Sequence, residues 1–193
     1  MSGLIIGLAG YARSGKNEAA EALVQFGWRQ AAFADKLREL LLALNPVIPG
    51  PVGEGNVRLR LLVEDVGWDY AKTRYPEVRA LLQRAGTDAG RKVLGANVWV
   101  DALFREHAEA AALVITDVRF PNEARAVCER GGVLIRVERP GTGPARDRAG
   151  RVHESEVALE GWAYDHTLVN DGSRDLRLKL HGVANLVQLS QAV

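Results

Sequence analysis

Residues Ile5-Ile6-Gly7-Leu8-Ala9-Gly10-Tyr11-Ala12-Arg13-Ser14-Gly15-Lys16-Asn17 constrain this chain more than any other stretch. An apolar run reads as a buried strand, a G-x-x-x-x-G-K loop follows, and a helical pattern continues from Glu18 to Phe26. That order is the one a phosphate-cradling loop needs. Gly10 and Gly15 allow backbone angles and close approaches that a Cβ would block. Loop N–H groups and the helix N-terminus then converge on an anion, with Lys16 placed to reach its β- and γ-phosphates. The expectation is nucleoside triphosphate binding by Gly10, Ala12, Arg13, Ser14, Gly15, Lys16, Asn17 and Glu18. Asn17 stands where Ser or Thr usually offers a hydroxyl to Mg²⁺, and its bulkier amide oxygen can ligate directly or through water.

The rest of the composition narrows the class. At 193 residues and 47% hydrophobic content, one globular α/β domain is expected, with room for a small inserted lid. No apolar stretch approaches the length of a membrane span. Nothing at the start reads as a signal segment, and Leu4–Ala9 serves better as a first strand. Cys128 is the single cysteine, so no internal disulfide can form, which fits a reducing cytosol. The net charge of +1, from 25 basic and 24 acidic residues, does not suggest a nucleic-acid surface.

Along the chain, a strand is expected around Trp28–Phe33, then Asp35 as N-cap of a helix Lys36–Leu44. Asn45–Asn56, rich in Pro and Gly, reads as a loop. Val57–Trp99 reads as mainly helical, with Pro76 in the first turn of a helix to Arg84. A helix from about Asn97 to Ala111 precedes a buried strand Ala112–Thr116 that ends in Asp117. Pro121 opens a helix stopped by Gly131-Gly132, and Val133–Glu138 is the next strand. His166–Val169 is the last strand before an amphipathic helix Asp175–Gln191. Strands alternating with helices imply a parallel sheet with right-handed crossovers.

A carboxylate at the end of an apolar strand is where P-loop proteins hold Mg²⁺, so Asp117 and Asn17 are the expected metal-shell groups. Arg119 would direct a planar cation into the same crevice. Segment Arg139–Arg151 combines Pro140, Gly141, Gly143, Pro144 and Gly150 with Arg146, Arg148 and Arg151. It reads as a lid whose arginines close on a polyanion and expel water, or else as a solvated charged loop.

Several of these segments together resemble the phage deoxynucleoside monophosphate kinase family. They are Gly10–Lys16, Phe33–Arg38, Leu82-Gln83-Arg84-Ala85-Gly86-Thr87-Asp88-Ala89-Gly90-Arg91, Asn97–Val100, Asp117-Val118-Arg119-Phe120-Pro121-Asn122-Glu123, Ile135–Gly141, His153–Glu156 and Val169–Ser173. They follow the family's order from Ile5 to about Leu176. The resemblance implies an NMP-kinase-like P-loop fold, with a central parallel sheet flanked by helices. It implies a single domain over 1–193, an acceptor-binding helical region at about 35–100, and a mobile lid at about 139–155. It further implies transfer of the ATP γ-phosphoryl group, with Mg²⁺, to a deoxynucleoside 5′-monophosphate.

Roles follow from matched positions. Lys16, Arg119, Arg146, Arg148 and Arg151 are the expected catalytic cations, and Asp171 and Gly172 lie in a turn suited to the adenine. Lys36, Arg38, Arg84, Thr87, Arg91, Trp99, Arg119, His153 and Glu156 are the acceptor-site candidates. Lys36 and Arg38 equally fit an exposed helix start, Trp99 equally fits a core position, and His153, Glu154 and Glu156 equally fit helix capping. Trp68, Tyr70 and Trp99 are candidates for an apolar wall against a ribose 2′-OH. The expected partners are ATP and a deoxynucleoside monophosphate, without nucleic acid or membrane, and a homodimer is compatible with the family. Host cytoplasm is expected if the chain is phage-encoded. The rivals are a P-loop kinase of dephospho-coenzyme A or phosphomevalonate type, and a nucleotide-hydrolysing switch or ATPase.

Overall fold

Strand β1 (Leu4–Ala9) lies at the centre of a five-stranded sheet in the order β2-β5-β1-β6-β7. Ile5 to Ala9 are buried throughout, as a strand covered on both faces must be. Its parallel neighbours are β5 (Ala112–Ile115), with Ile6 opposite Val114, and β6 (Val133–Glu138), with Ile6 opposite Val133. β2 (Arg29–Ala31) extends the sheet beyond β5, and β7 (His166–Val169) extends it beyond β6, both in parallel. The chain moves to one side of β1 for β2 and β5 and to the other for β6 and β7. β1 is therefore the switch point, and a crevice opens beyond its carboxyl end. The computed structural model describes residues 3–146, 150–172 and 179–185.

Two compact units make up the chain. Met1–Ala32 and Phe104–Val193 form the sheet unit, and Phe33–Leu103 the other. In the sheet unit, α1 (Lys16–Val24) lays Ala19, Ala20 and Leu23 against Ile6, Leu8 and Val114. Small residues at the contact let the helix sit close to the strands. α6 (Pro121–Cys128) carries Pro at its first turn, and the Glu123 carboxylate reaches back to accept from Phe120 N at 3.0 Å. Residues 179–185 are helical, and the rest of the expected closing helix lies outside the described residues.

The unit Phe33–Leu103 is mostly helical. It holds α2 (Ala34–Leu44), α3 (Leu59–Arg74), α4 (Pro76–Gln83), a π-helical stretch over Arg84–Leu94, and α5 (Val98–Glu106) as far as Leu103. Leu37, Leu41, Leu59, Leu62, Val78 and Val100 are buried in it. The sequence expectations need correction here. The N-cap of α2 is Phe33, so Asp35 falls in the first turn, where its carboxylate suits the helix dipole and pairs with Arg38 at 3.1 Å. The expected loop Asn45–Asn56 contains β3 (Val47–Ile48), paired antiparallel with β4 (Val57–Arg58). α3 breaks at Gly67, whose φ of 73° is non-helical. α5 stops at Glu106 instead of continuing to Ala111. Among the described residues, no helix is long and apolar enough to cross a membrane.

Candidate active site

The loop after β1 is shaped by its glycines. Gly10 (φ 135°) and Gly15 (φ 100°) hold angles that L side chains rarely adopt. A Cβ on Gly10 would fall 2.2 Å from Val137 O, and one on Gly15 would fall 2.1 Å from Asn170 Nδ2. The loop is therefore pressed between β6 and the end of β7. Asn170, only 1% exposed, donates from Nδ2 to Ser14 O at 3.1 Å and accepts from Gly172 N at 3.1 Å. Behind the loop α1 begins at Lys16, and its first-turn N–H groups are the unpaired donors an anion can take.

Lys16 is folded back over this loop. Its Nζ donates to Gly10 O and Tyr11 O, both at 2.7 Å. Burial first, and the Arg119 guanidinium second, push the ammonium down to about 8, against the opposing pull of Glu156 and Asp117. These influences place Asp117, Arg119 and Glu156 within electrostatic reach of Lys16.

Asp117 and Arg119 leave the end of β5 beside the loop, and Val118 N donates to Leu8 O at 3.1 Å to tie this segment to β1. Arg119 N donates to the buried Glu123 carboxylate at 2.7 Å, which fixes its backbone. Its guanidinium, 39% exposed, donates from Nη1 to Glu156 Oε1 at 2.9 Å. Glu156 stands on the short helix α7 (Glu154–Val157). Its other oxygen accepts from Ala145 N at 3.2 Å.

A pocket opens at this place, lined by Gly10, Tyr11, Arg119, Arg136, Glu156 and Tyr164 among others. Arg136 went unassigned from the sequence. The guanidinium lies 5.7 Å from the Tyr11 ring centre and 5.5 Å from that of Tyr164, and its Nε is 2.7 Å from Glu138 Oε1. The signal was present as a charge inside the otherwise apolar run Val133–Val137. Tyr11 OH also donates to Glu160 Oε1 at 3.1 Å.

The remaining candidates sort by unit. Arg13, Asn17 and Glu18 are exposed on the loop and first turn, and Ala12 is half-buried. Asp171 and Gly172 are exposed just past β7. Arg146 donates to Gly150 O at 2.8 Å and bridges to Val152, Arg151 is exposed, and Arg148 lies outside the described residues. His153 caps α7, its Nδ1 accepting from Ser155 N at 3.2 Å, so its ring is engaged in the capping alternative.

In the unit Phe33–Leu103, each of the four candidate cations has a local partner. Lys36 pairs with Glu39 at 2.6 Å, Arg38 with Asp35, Arg84 with Glu77, and Arg91 donates to Ala96 O at 3.2 Å. Thr87 is half-buried in the π-helical stretch, Trp68 is half-buried and Tyr70 exposed. Trp99 is 6% exposed, its Nε1 donates to Gly86 O at 2.9 Å, and a Cβ on Gly90 would sit 2.6 Å from its ring. This conformation commits the indole to holding the π-helical turn, leaving no open face for a base.

No cluster of three or more His, Cys, Asp or Glu side chains suited to a metal occurs among the described residues. The half-buried Asp117 and the exposed Asn17 amide are a thin, all-oxygen donor set. Such a set fits Mg²⁺, which keeps waters and takes most other ligands from substrate phosphates.

No protein-family model matches the chain. Among solved structures, the TT1252 protein of Thermus thermophilus has a TM-score of 0.47 at 20% identity, covering 98% of this chain and 99% of its own. The Mycobacterium tuberculosis APS kinase has a TM-score of 0.42 at 14% identity, covering 97% and 98%. The Escherichia phage T5 protein named "Deoxynucleoside-5'-monophosphate kinase" is 31% identical over 114 residues, 56% of this chain and 46% of the phage protein's length. The Acanthamoeba polyphaga mimivirus protein named "Putative deoxynucleotide monophosphate kinase" is 33% identical over 188 residues, 87% of this chain and 89% of the viral protein. By that near full-length relationship the chain belongs to the deoxynucleotide monophosphate kinase family.

Proposed function

We propose that this chain transfers the γ-phosphoryl group of ATP to the 5′-phosphate of a deoxynucleoside monophosphate, giving a deoxynucleoside diphosphate and ADP. The observation that carries the reading is the pocket at the carboxyl end of β1, where Gly10 and Tyr11, the loop residues that Lys16 Nζ caps, line one wall with Arg119. It joins a loop built for a triphosphate to a second, separately anchored cation for another phosphate.

The acceptor phosphate is largely ionised at neutral pH, like other phosphate esters with a second pKa near ~6. One of its oxygens attacks the γ-phosphorus without a general base, and the β–γ bridging oxygen leaves with ADP. The barrier is the mutual repulsion of two polyanions brought in line, so catalysis rests on placed cations. Loop N–H groups and Lys16 hold the β- and γ-phosphates. Lys16 exchanges its loop carbonyls for phosphate oxygens on binding, and the added negative charge favours its protonated form. Arg119 takes the acceptor phosphate. Arg146, Arg148 and Arg151 add charge from the lid, and Asp171 and Gly172 border the adenine. Asp117 and Asn17 would hold Mg²⁺, whose chemistry is to neutralise charge across the phosphates.

By matched position in the family's segments, Lys36, Arg38, Arg84, Thr87 and Arg91 serve the acceptor. If the chain is phage-encoded like its T5 relative, the reaction takes place in host cytoplasm. The test is an Arg119→Ala variant assayed against both substrates. About a hundredfold loss of kcat/KM for the deoxynucleoside monophosphate is expected, with ATP binding nearly unchanged. Equal loss on the ATP side would place Arg119 on the wrong substrate.

A further inference from the structure

We infer that Glu156 is a positioning residue that aims Arg119 at the acceptor phosphate and ties it to the chain entering the lid; this rests on the kinase reading above. Both Glu156 oxygens are committed, Oε1 to Arg119 Nη1 at 2.9 Å and Oε2 to Ala145 N at 3.2 Å. Its side chain is 5% exposed, whereas that of Arg119 is 39% exposed. A carboxylate this covered cannot readily present an oxygen to a ligand, and beside an acceptor phosphate its charge would repel. Toward Arg119 the same charge is useful. An arginine has five N–H donors in a rigid plane, and fixing one nitrogen fixes the direction of the others.

The main chain of Arg119 is held independently by the Glu123 carboxylate. Glu123 therefore sets where the side chain starts and Glu156 sets where it ends. Without Glu156 the guanidinium would lose a charge-assisted bond and regain rotamer freedom, which binding would then have to remove. The turn following α7 also reaches the nucleotide loop, through Glu160 accepting from Tyr11 OH at 3.1 Å. Residues 154–160 thus contact the triphosphate loop and the acceptor-side arginine together, and Glu156 is the contact on the acceptor side.

The experiment is steady-state kinetics on the wild type, Glu156→Gln, Glu156→Asp, Arg119→Ala and the double variant Arg119→Ala/Glu156→Gln, each against ATP and a deoxynucleoside monophosphate. Glu156→Gln is expected to raise the acceptor KM about tenfold to a hundredfold, with the ATP KM within about twofold. Glu156→Asp keeps the charge and should recover part of the loss. In the Arg119→Ala background, Glu156→Gln should add less than about twofold, since the residue it positions is gone. A wild-type acceptor KM in Glu156→Gln overturns the inference, as does the same fold loss in both backgrounds or an equal rise in both KM values. A wild type inert with every deoxynucleoside monophosphate overturns the kinase reading itself, an outcome distinct from all of these.

Discussion

The Asn170 side-chain amide, buried at the end of β7, donates to the Ser14 carbonyl 156 residues earlier in the chain. The last strand of the sheet thereby fixes the inner turn of the loop that follows the first. Asn170→Ala removes that donor and leaves the buried Ser14 carbonyl without it. The expected cost is about 1–3 kcal/mol of unfolding free energy, measured by urea denaturation, together with a raised KM for ATP.

Gly15→Ala addresses the same contact from the other side. The alanine Cβ would meet the Asn170 amide at 2.1 Å, at a φ of +100° that alanine rarely adopts. Loss of ATP binding by more than about tenfold is expected in a calorimetric titration, with the sheet intact by circular dichroism. Ordinary ATP affinity would mean that the loop tolerates another backbone path.

The position of Lys16 predicts a pH dependence. In the free enzyme its ammonium titrates near 8, pushed down chiefly by burial, so the protonated cation is lost as pH rises past that value. kcat/KM for ATP, which reports the free enzyme, should therefore fall on the alkaline side with an apparent pKa near 8. kcat should hold to higher pH, because bound phosphates favour the charged form. Lys16→Ala should remove the alkaline limb along with nearly all turnover.

Much of this was legible because it is local. β1 occupies Leu4–Ala9 as the apolar run requires, Pro121 opens α6, and the glycine spacing places the loop. What escaped is carried by contacts between distant residues. Glu156 meets Arg119 across 37 positions and Asn170 meets Ser14 across 156, and no spacing rule reports either. The β3–β4 ribbon was hidden because strands of two residues have no period to detect. The π-helical stretch Arg84–Leu94 has a different origin. Gly90 admits the Trp99 indole against the backbone while Gly86 O accepts from its Nε1, and a helical pattern alone does not reveal which turn will widen to receive it.

That packing gives a prediction of its own. Trp99→Phe keeps an aromatic ring but removes the side-chain donor to Gly86 O. Stability should fall by about 1–2 kcal/mol in thermal or urea unfolding, while the acceptor KM moves less than about twofold. A large rise in acceptor KM without loss of stability would return Trp99 to base stacking.

Phosphoryl transfer is tested most directly by product analysis, with ATP and Mg²⁺ supplied alongside each deoxynucleoside monophosphate, each matching ribonucleotide, and no acceptor at all. Deoxynucleoside diphosphate should form one-for-one with ADP, be abolished by Lys16→Ala and be absent without acceptor. ADP released equally with or without acceptor, and no diphosphate product, would contradict it.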